Sequence, residues 1–118
     1  MPEVPIGTYT LQILDKAGVD FKNKILANVA SREPNVRQVL AKVSLGEADA
    51  GIVYRTDAIA GKDQVEIIEI PAKVNVIAKF PVAVLAKAPQ ARAARAFVDL
   101  LLSAEGQKRL AAAGFIAP

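Results

Sequence analysis

The chain has 118 residues, of which 53% are hydrophobic, 5% aromatic and 23% charged, and its formal net charge is +3. This length suits one domain, and this composition supplies enough apolar material for a core. The sequence contains no cysteine and no histidine, which excludes disulfides, thiolate metal sites and serine–histidine catalysis. Basic residues form no tract and aromatic residues are few, so we expect no nucleic-acid binding.

Apolar residues recur at helical spacing in the first third of the chain. They predict a first helix over 7–17, with Gly18 as its stop. The segment 21–30 fits either a short strand or a turn of helix. Asn35 is a suitable N-cap for a second helix that Gly46 ends.

Short apolar runs in the middle of the chain have strand character. We expect strands over 50–54 and 65–70, separated by a turn at 55–57. A longer extended stretch is expected over 74–85, where Pro81 interrupts the apolar pattern.

Two further helices are predicted at the end of the chain. The segment 92–102 is strongly amphipathic. Ser103 is a suitable cap for a last helix over 104–113, which Gly114 closes. Because helices alternate with strands, the pattern predicts an α/β layer fold.

The helix starts are the features most suited to chemistry. The first amides of a helix have no partner inside it, and the helix dipole adds partial positive charge there. Two such starts that face one cleft can hold a dianion without any basic side chain. The candidates are the two segments that lead into these helices, Val4–Pro5–Ile6–Gly7–Thr8 before the first, where Gly7 permits close approach of a ligand, and Pro34–Asn35–Val36–Arg37 before the second. Tyr54, at a predicted strand end, adds a phenolic donor.

Each of these features also has an ordinary structural interpretation. A glycine or an asparagine at a helix start is often only a turn residue or a cap, and a tyrosine at a strand end is often only half-buried. The side chains of Arg37 and Arg55 fit surface charges, and Glu47, Asp49 and Asp57 fit solvated loop carboxylates better than a metal site. We therefore expect no catalytic residue, no metal ligand and no cofactor.

Four segments of the sequence, taken in order, carry a resemblance to a known family. They are Val–Pro–Ile–Gly–Thr–Tyr at 4–9, Asn–Val–Arg–Gln–Val–Leu at 35–40, the run that begins Gly–Glu–Ala–Asp–Ala–Gly–Ile–Val–Tyr at 46–58, and Phe–Pro–Val–Ala–Val–Leu at 80–85. Together with the closing helices they resemble the C-terminal part of the molybdate/tungstate-binding protein of bacterial ABC importers. The segment 46–58 is the most specific of them, and the resemblance spans nearly the whole chain.

The resemblance implies an α/β fold of the type II periplasmic-binding-protein kind. Residues 1–78 would form a second-lobe segment with half of an anion site, and residues 79–118 a hinge strand and C-terminal helices that pack on the other lobe. The segments of the first lobe and the targeting segment have no counterpart here, so we expect a fragment. Apolar surface meant for the other lobe predicts self-association or a segment-swapped dimer.

The same resemblance implies a function. It predicts a periplasmic or otherwise extracytoplasmic solute-binding protein, not an enzyme, that holds molybdate or tungstate and delivers it to a membrane ABC permease. The donors would be the amides of Ile6 and Val36 and the hydroxyl of Tyr54. Two alternatives stay open: another anion such as sulfate or phosphate, and a ligand-sensing domain of a transcription regulator with the same fold.

Overall fold

The structure, a computed structural model, describes residues 4–118. The regular elements of this range are α-helices, joined by turns and extended backbone, and no β-strand is formed within it. The helices in chain order are α1 (Pro5–Ala17), α2 (Val19–Ala27), α3 (Val36–Ser44), α4 (Arg55–Ala60), α5 (Ala91–Leu102) and α6 (Ala104–Ala112).

Glycine separates α1 from α2. Gly18 has a φ of 112°, a backbone conformation that side chains with a Cβ rarely adopt, so the first helix ends there as the sequence predicts. The second helix begins at once with Val19, and the ambiguous segment 21–30 is therefore mostly helix. The apolar face of α1 buries Ile13 and Leu14.

Side-chain caps start α3 and α6 as the sequence predicts. The Asn35 side chain accepts a hydrogen bond from the amide of Gln38, and the Ser103 hydroxyl accepts one from the amide of Gly106. Gly46, with a φ of 73°, follows the end of α3. Such caps satisfy amides that a helix leaves without an internal partner, so they define where each helix begins.

Close packing against α5 explains a glycine near the start of α6. Gly106 is buried, and a Cβ there would overlap the carbonyl oxygens of Leu100 and Leu101. The Gln107 side chain donates to the Leu101 carbonyl oxygen at 2.7 Å. The turn between α5 and α6 is therefore closely packed.

The predicted strands at 50–54, 65–70 and 74–85 are not formed in residues 4–118, so the strand half of the predicted α/β class is absent from the structure. An isolated strand leaves its backbone groups unpaired and is unstable without neighbouring strands. These segments instead run as extended backbone and turns.

The predicted turn at 55–57 is wrong, because these residues begin α4. The amides of Asp57 and Ala58 both donate to the Tyr54 carbonyl oxygen, which closes the first helical turn. Asp57 also places an acidic side chain in that turn, which the helix dipole favours. The helix then ends at Gly61, whose Cα packs against Leu40.

The chain divides into two compact units, Met1–Ala78 and Lys79–Pro118. In the first unit α1 contacts α2 and α3 contacts α4, and its buried apolar side chains among the described residues are Ile13, Leu14 and Ala58. In the second unit α5 packs on α6, and the rings of Phe80 and Phe115 meet edge to face at 6.0 Å. Whether these units correspond to parts of two lobes stays a prediction.

Candidate functional site

The start of α1 has no side-chain cap. Val4 precedes it in extended conformation, and Pro5 at the first helical position has no amide hydrogen to donate. The Gly7 amide donates to the Val4 carbonyl oxygen at 2.9 Å, so the protein itself uses this donor. The Ile6 amide, between Pro5 and Gly7 in the sequence, also belongs to the first turn and has no acceptor within the helix.

The region beside Gly7 is open. A Cβ added to Gly7 would meet nothing within 4 Å outside its immediate neighbours. Glycine is therefore not required here by packing of the free chain. The prediction that it permits close approach of a ligand agrees with this open space and stays a prediction.

The start of α3 presents a different set of amides. Because Asn35 occupies the Gln38 amide at 3.0 Å, the remaining donors of the first turn are those of Val36 and Arg37. The first turn of α3 contains no acidic side chain, so no carboxylate on that turn opposes an anion. These two donors are the ones that the sequence predicts.

Tyr54 is the residue that precedes α4, and it is half-buried. Burial, first, and then the nearby side chains of Tyr9 and Asp57 raise the pKa of the Tyr54 phenol above its ordinary value of 10.0. The phenol therefore keeps its proton through neutral pH and remains a hydrogen-bond donor. Its electrostatic interaction with Tyr9 places it near the first half of α1.

The segment that leads into Tyr54 is bounded by α1 and α3. A Cβ on Gly51 would lie 2.5 Å from Val39 Cγ1, so the backbone of Gly51 is in close contact with α3. Ile52 and Ile13, together with Leu14, line one apolar pocket of about 270 Å³ beside α1. Packing against both helices fixes the position of Tyr54 relative to them.

A polar cleft of about 460 Å³ lies between α3 and α4. Arg37 lines it, and so do the carboxylates of Asp57 and Asp63. Two carboxylates beside one guanidinium make this cleft unsuited to a dianion. The Arg37 side chain is exposed, which agrees with its interpretation as a surface charge.

The donors at the start of α1, the donors at the start of α3 and the Tyr54 phenol share three properties: they are neutral, they belong to one compact unit, and they come from backbone or from a protonated hydroxyl. Groups of this kind can donate hydrogen bonds to a ligand. A sequence model of the family described as Bacterial extracellular solute-binding protein matches residues 2–116.

The chain belongs to this family of extracellular solute-binding proteins.

Relatives of this chain are bacterial. The Molybdate-binding protein ModA of Mycobacterium tuberculosis and that of Mycobacterium bovis are each 36% identical to it over 117 residues, which cover 99% of this chain and 42% of the relative. YvgL of Bacillus subtilis, named as an ABC transporter substrate-binding lipoprotein, is 32% identical over 116 residues, which cover 97% of this chain and 43% of the relative. The chain therefore spans less than half the length of these relatives. No solved structure matches it.

Two kinds of feature are absent from residues 4–118. No group of three or more acidic side chains in that range is arranged to hold a metal ion. No helix in the same range is both long and apolar enough to cross a bilayer.

Sequence reasoning overlooked two features of this solute-binding chain. The first is α4, which places Tyr54 at a helix start; Asp57 in its first turn and Gly61 after its last were the available signals. The second is Tyr9, which lies in the segment 4–9 that carries the resemblance and for which we predicted no separate role. Its spacing of three residues from Ile6 puts the two on one side of that helix, and this spacing is visible in the sequence.

Proposed function

We propose that this chain forms one half of an oxyanion site in a solute-binding protein that takes up molybdate, with tungstate as the close chemical substitute. The observation that supports this most is the 36% identity to two molybdate-binding relatives across 99% of the chain. The proposed donors are the amides of Ile6, Val36 and Arg37 and the hydroxyl of Tyr54, with Gly7 leaving room for the anion.

Neutral donors suit this ligand because they bind it without a fixed opposing charge. Amides at a helix start point outward and are strengthened by the helix dipole. Each hydrogen bond to a charged group contributes about 1.5–3 kcal/mol, so a few of them suffice for useful affinity. Since all the proposed groups donate, the lining favours a fully deprotonated tetrahedral anion over one that carries a proton of its own.

The fold that we infer for the natural protein is the α/β type II periplasmic-binding fold. Its support is membership of a solute-binding family and the extended, apolar segments 50–54 and 65–70, whose composition is typical of buried strands. We infer that these segments are paired as strands when neighbouring strands are available, with residues 1–78 and 79–118 serving different lobes.

Transport is favoured over ligand sensing for transcription. The relatives are a molybdate-binding protein and a protein named as an ABC transporter substrate-binding lipoprotein, and both names refer to binding or uptake. We therefore infer an extracytoplasmic location and a membrane ABC permease as the partner that receives the ligand. No proton transfer is involved, so the absence of histidine from the chain is no obstacle.

Self-association of the 118-residue chain is a further part of the proposal. Large apolar side chains of the second unit are exposed, among them Phe80, Leu85, Phe97, Leu102 and Ile116. Exposed apolar surface of this kind favours association between copies. Sedimentation is expected to give a mass above that of one chain, and a compact monomer at micromolar concentration would contradict this part.

Calorimetric titration of the natural protein with molybdate, tungstate, sulfate and phosphate tests the function. We expect strong binding of the first two and weak or no binding of the others. A protein that binds phosphate or sulfate in preference would be assigned to that anion instead, and absence of heat with molybdate and tungstate would exclude the proposal.

Tyr54→Phe tests the role of the phenol in the same titration. The substitution removes one hydrogen bond to a charged group and keeps the ring, so the affinity for molybdate is expected to fall about 10- to 100-fold. Arg109→Gln, a change at an exposed position of the second unit, is the control and is expected to leave the affinity unchanged. Equal affinities for wild type and Tyr54→Phe would remove Tyr54 from the site.

A further inference from the structure

One face of α1 connects the proposed amide donor of Ile6 to the apolar pocket that Ile13 and Ile52 both line. Residues three and four apart on a helix lie on the same side, so Ile6, Tyr9 and Ile13 form one continuous row. Ile13 is buried and lines the apolar pocket that Ile52 also lines. Tyr9 is half-buried and lies in the row between the pocket and the helix start.

Distances along the two segments are compatible with a position of Tyr54 near Tyr9. From Ile13 back to Tyr9 the helix advances about 6 Å, at 1.5 Å a residue. From Ile52 on to Tyr54 an extended chain advances about 6.6 Å, at 3.3 Å a residue. If the segment runs toward the start of α1, the two phenols meet, and the electrostatic effect of Tyr9 on Tyr54 agrees with this direction.

The Thr10 hydroxyl, on the same side of the helix, already has a hydrogen-bond partner. The Thr10 hydroxyl donates to the Ile6 carbonyl oxygen at 2.8 Å. Thr10 therefore contributes a local bond within the helix and leaves Tyr9 as the hydroxyl on this row that is positioned to act on Tyr54.

We propose that Tyr9 is a positioning residue that holds the Tyr54 hydroxyl beside the start of α1, so that the phenol and the Ile6 amide bind the same anion. This inference rests on the proposed function, because it assigns Tyr9 a role at that site. Tyr9 acts through Tyr54 and is not itself a donor to the ligand. The pair thus sets the distance between the phenol and the helix start and, with it, the size of anion accepted.

A double-mutant cycle in the natural protein, titrated with molybdate, tests this role. Tyr9→Phe is expected to lower the affinity about two- to tenfold, the range for one neutral hydrogen bond. In a Tyr54→Phe background the same substitution is expected to have no effect, since the group that it positions is gone. Equal losses in both backgrounds, or no loss in either, would overturn the proposal. Gln12→Ala, at an exposed position of α1, is the matched control.

A spectroscopic test needs no ligand. The chain has two tyrosines and no tryptophan, so ionisation of each phenol can be followed by NMR of labelled tyrosine. Tyr9→Phe is expected to lower the pKa of Tyr54 toward 10.0 while leaving it raised by burial, whereas Gln12→Ala is expected to leave it unchanged. An unchanged Tyr54 pKa in Tyr9→Phe would show that the phenols are not neighbours and would overturn the proposal.

The two tests separate the possible failures. Absence of molybdate binding by the wild type would defeat the proposed function, and the Tyr9–Tyr54 contact would still be decided by the NMR titration. Molybdate binding that depends on Tyr54 and is insensitive to Tyr9 would defeat the positioning role alone.

Discussion

The start of α3 is capped by a side chain, whereas the start of α1 is not. At α3 the Asn35 side chain holds the Gln38 amide, and the amides of Val36 and Arg37 remain as a fixed pair of outward donors. At α1 the proline at the first position supplies no donor and the Gly7 amide is bonded to the Val4 carbonyl oxygen.

The difference shows that the two helix starts offer different sets of donors. The start of α3 offers the amides of Val36 and Arg37. The start of α1 offers the Ile6 amide, and a phenol from a distant part of the chain, Tyr54, lies near its first half. A comparison of substitutions at the two starts therefore measures how much of the binding comes from backbone and how much from packing.

The largest effect is expected from Val36→Pro. Proline is tolerated at the first position of a helix, and Asn35 already has the extended backbone that a following proline requires. The substitution removes one amide donor and keeps α3, so the affinity for molybdate is expected to fall about 10- to 100-fold by calorimetry.

Ala104→Pro is the matched control, because it places proline at the same position of α6, after an extended Ser103. It is expected to leave the affinity unchanged. If both substitutions weakened binding equally, the effect would come from general destabilisation and the role of the Val36 amide would be excluded.

The next effect concerns the open side of α1. Gly7→Ala is expected to leave the stability of the free protein unchanged, or to raise it by up to about 1 kcal/mol, since alanine is the better helix former and its Cβ meets nothing. If the anion approaches Gly7, the added methyl obstructs it, and the affinity is expected to fall at least about fivefold. Thermal unfolding measures the change in stability, and calorimetry measures the change in affinity. Lower stability with unchanged affinity would contradict this prediction.

A smaller effect is expected from Asn35→Ala. Loss of the cap is expected to lower the free energy of unfolding by about 1 kcal/mol, as for other N-cap substitutions to alanine. Urea unfolding followed by circular dichroism measures it. Val4→Ala at the uncapped start of α1 is the comparison, and a loss as large as that of Asn35→Ala would mean that the two starts do not differ in capping.

The smallest effect concerns the far end of α3. Glu33, first, and then Glu47 raise the pKa of Lys42 above 10.5. A raised pKa in the folded state contributes stability that is present below the ordinary pKa and is lost as the pH rises through the folded pKa. We therefore expect stability to decline above about pH 10.5 more in wild type than in Glu33→Gln, by a small amount because solvent screens this partly buried pair. Urea unfolding below and above that pH measures it, and parallel curves would exclude the contribution.

The helix boundaries were largely predictable because their signals are local. Asn35 and Ser103 bond to an amide three residues onward, and Gly18 and Gly114 occupy a backbone conformation that favours glycine. The strands were predicted from the same kind of pattern, but a strand requires partners from other parts of a chain, so the apolar run at 50–54 did not become one within residues 4–118.

The residues of the candidate site likewise fall into those that the sequence could predict and those that it could not. The amides of Ile6 and Val36 could be chosen from the sequence, since the first turn of any helix leaves its amides without internal acceptors. The sequence could not predict that Arg37 lines one cleft with Asp57 and Asp63, because the cleft exists only once α4 packs on α3.

The sequence by itself determined the approximate bounds of α1, α3, α5 and α6 and which family the chain resembles, because caps, glycines and short motifs act over a few residues. Tertiary structure alone decided that Gly51 packs against α3. It also decided that Tyr54 is near Tyr9, since 45 positions separate them in the sequence and no local pattern relates them. Contacts between distant residues depend on the sum of many weak packing interactions, and no local pattern carries that sum.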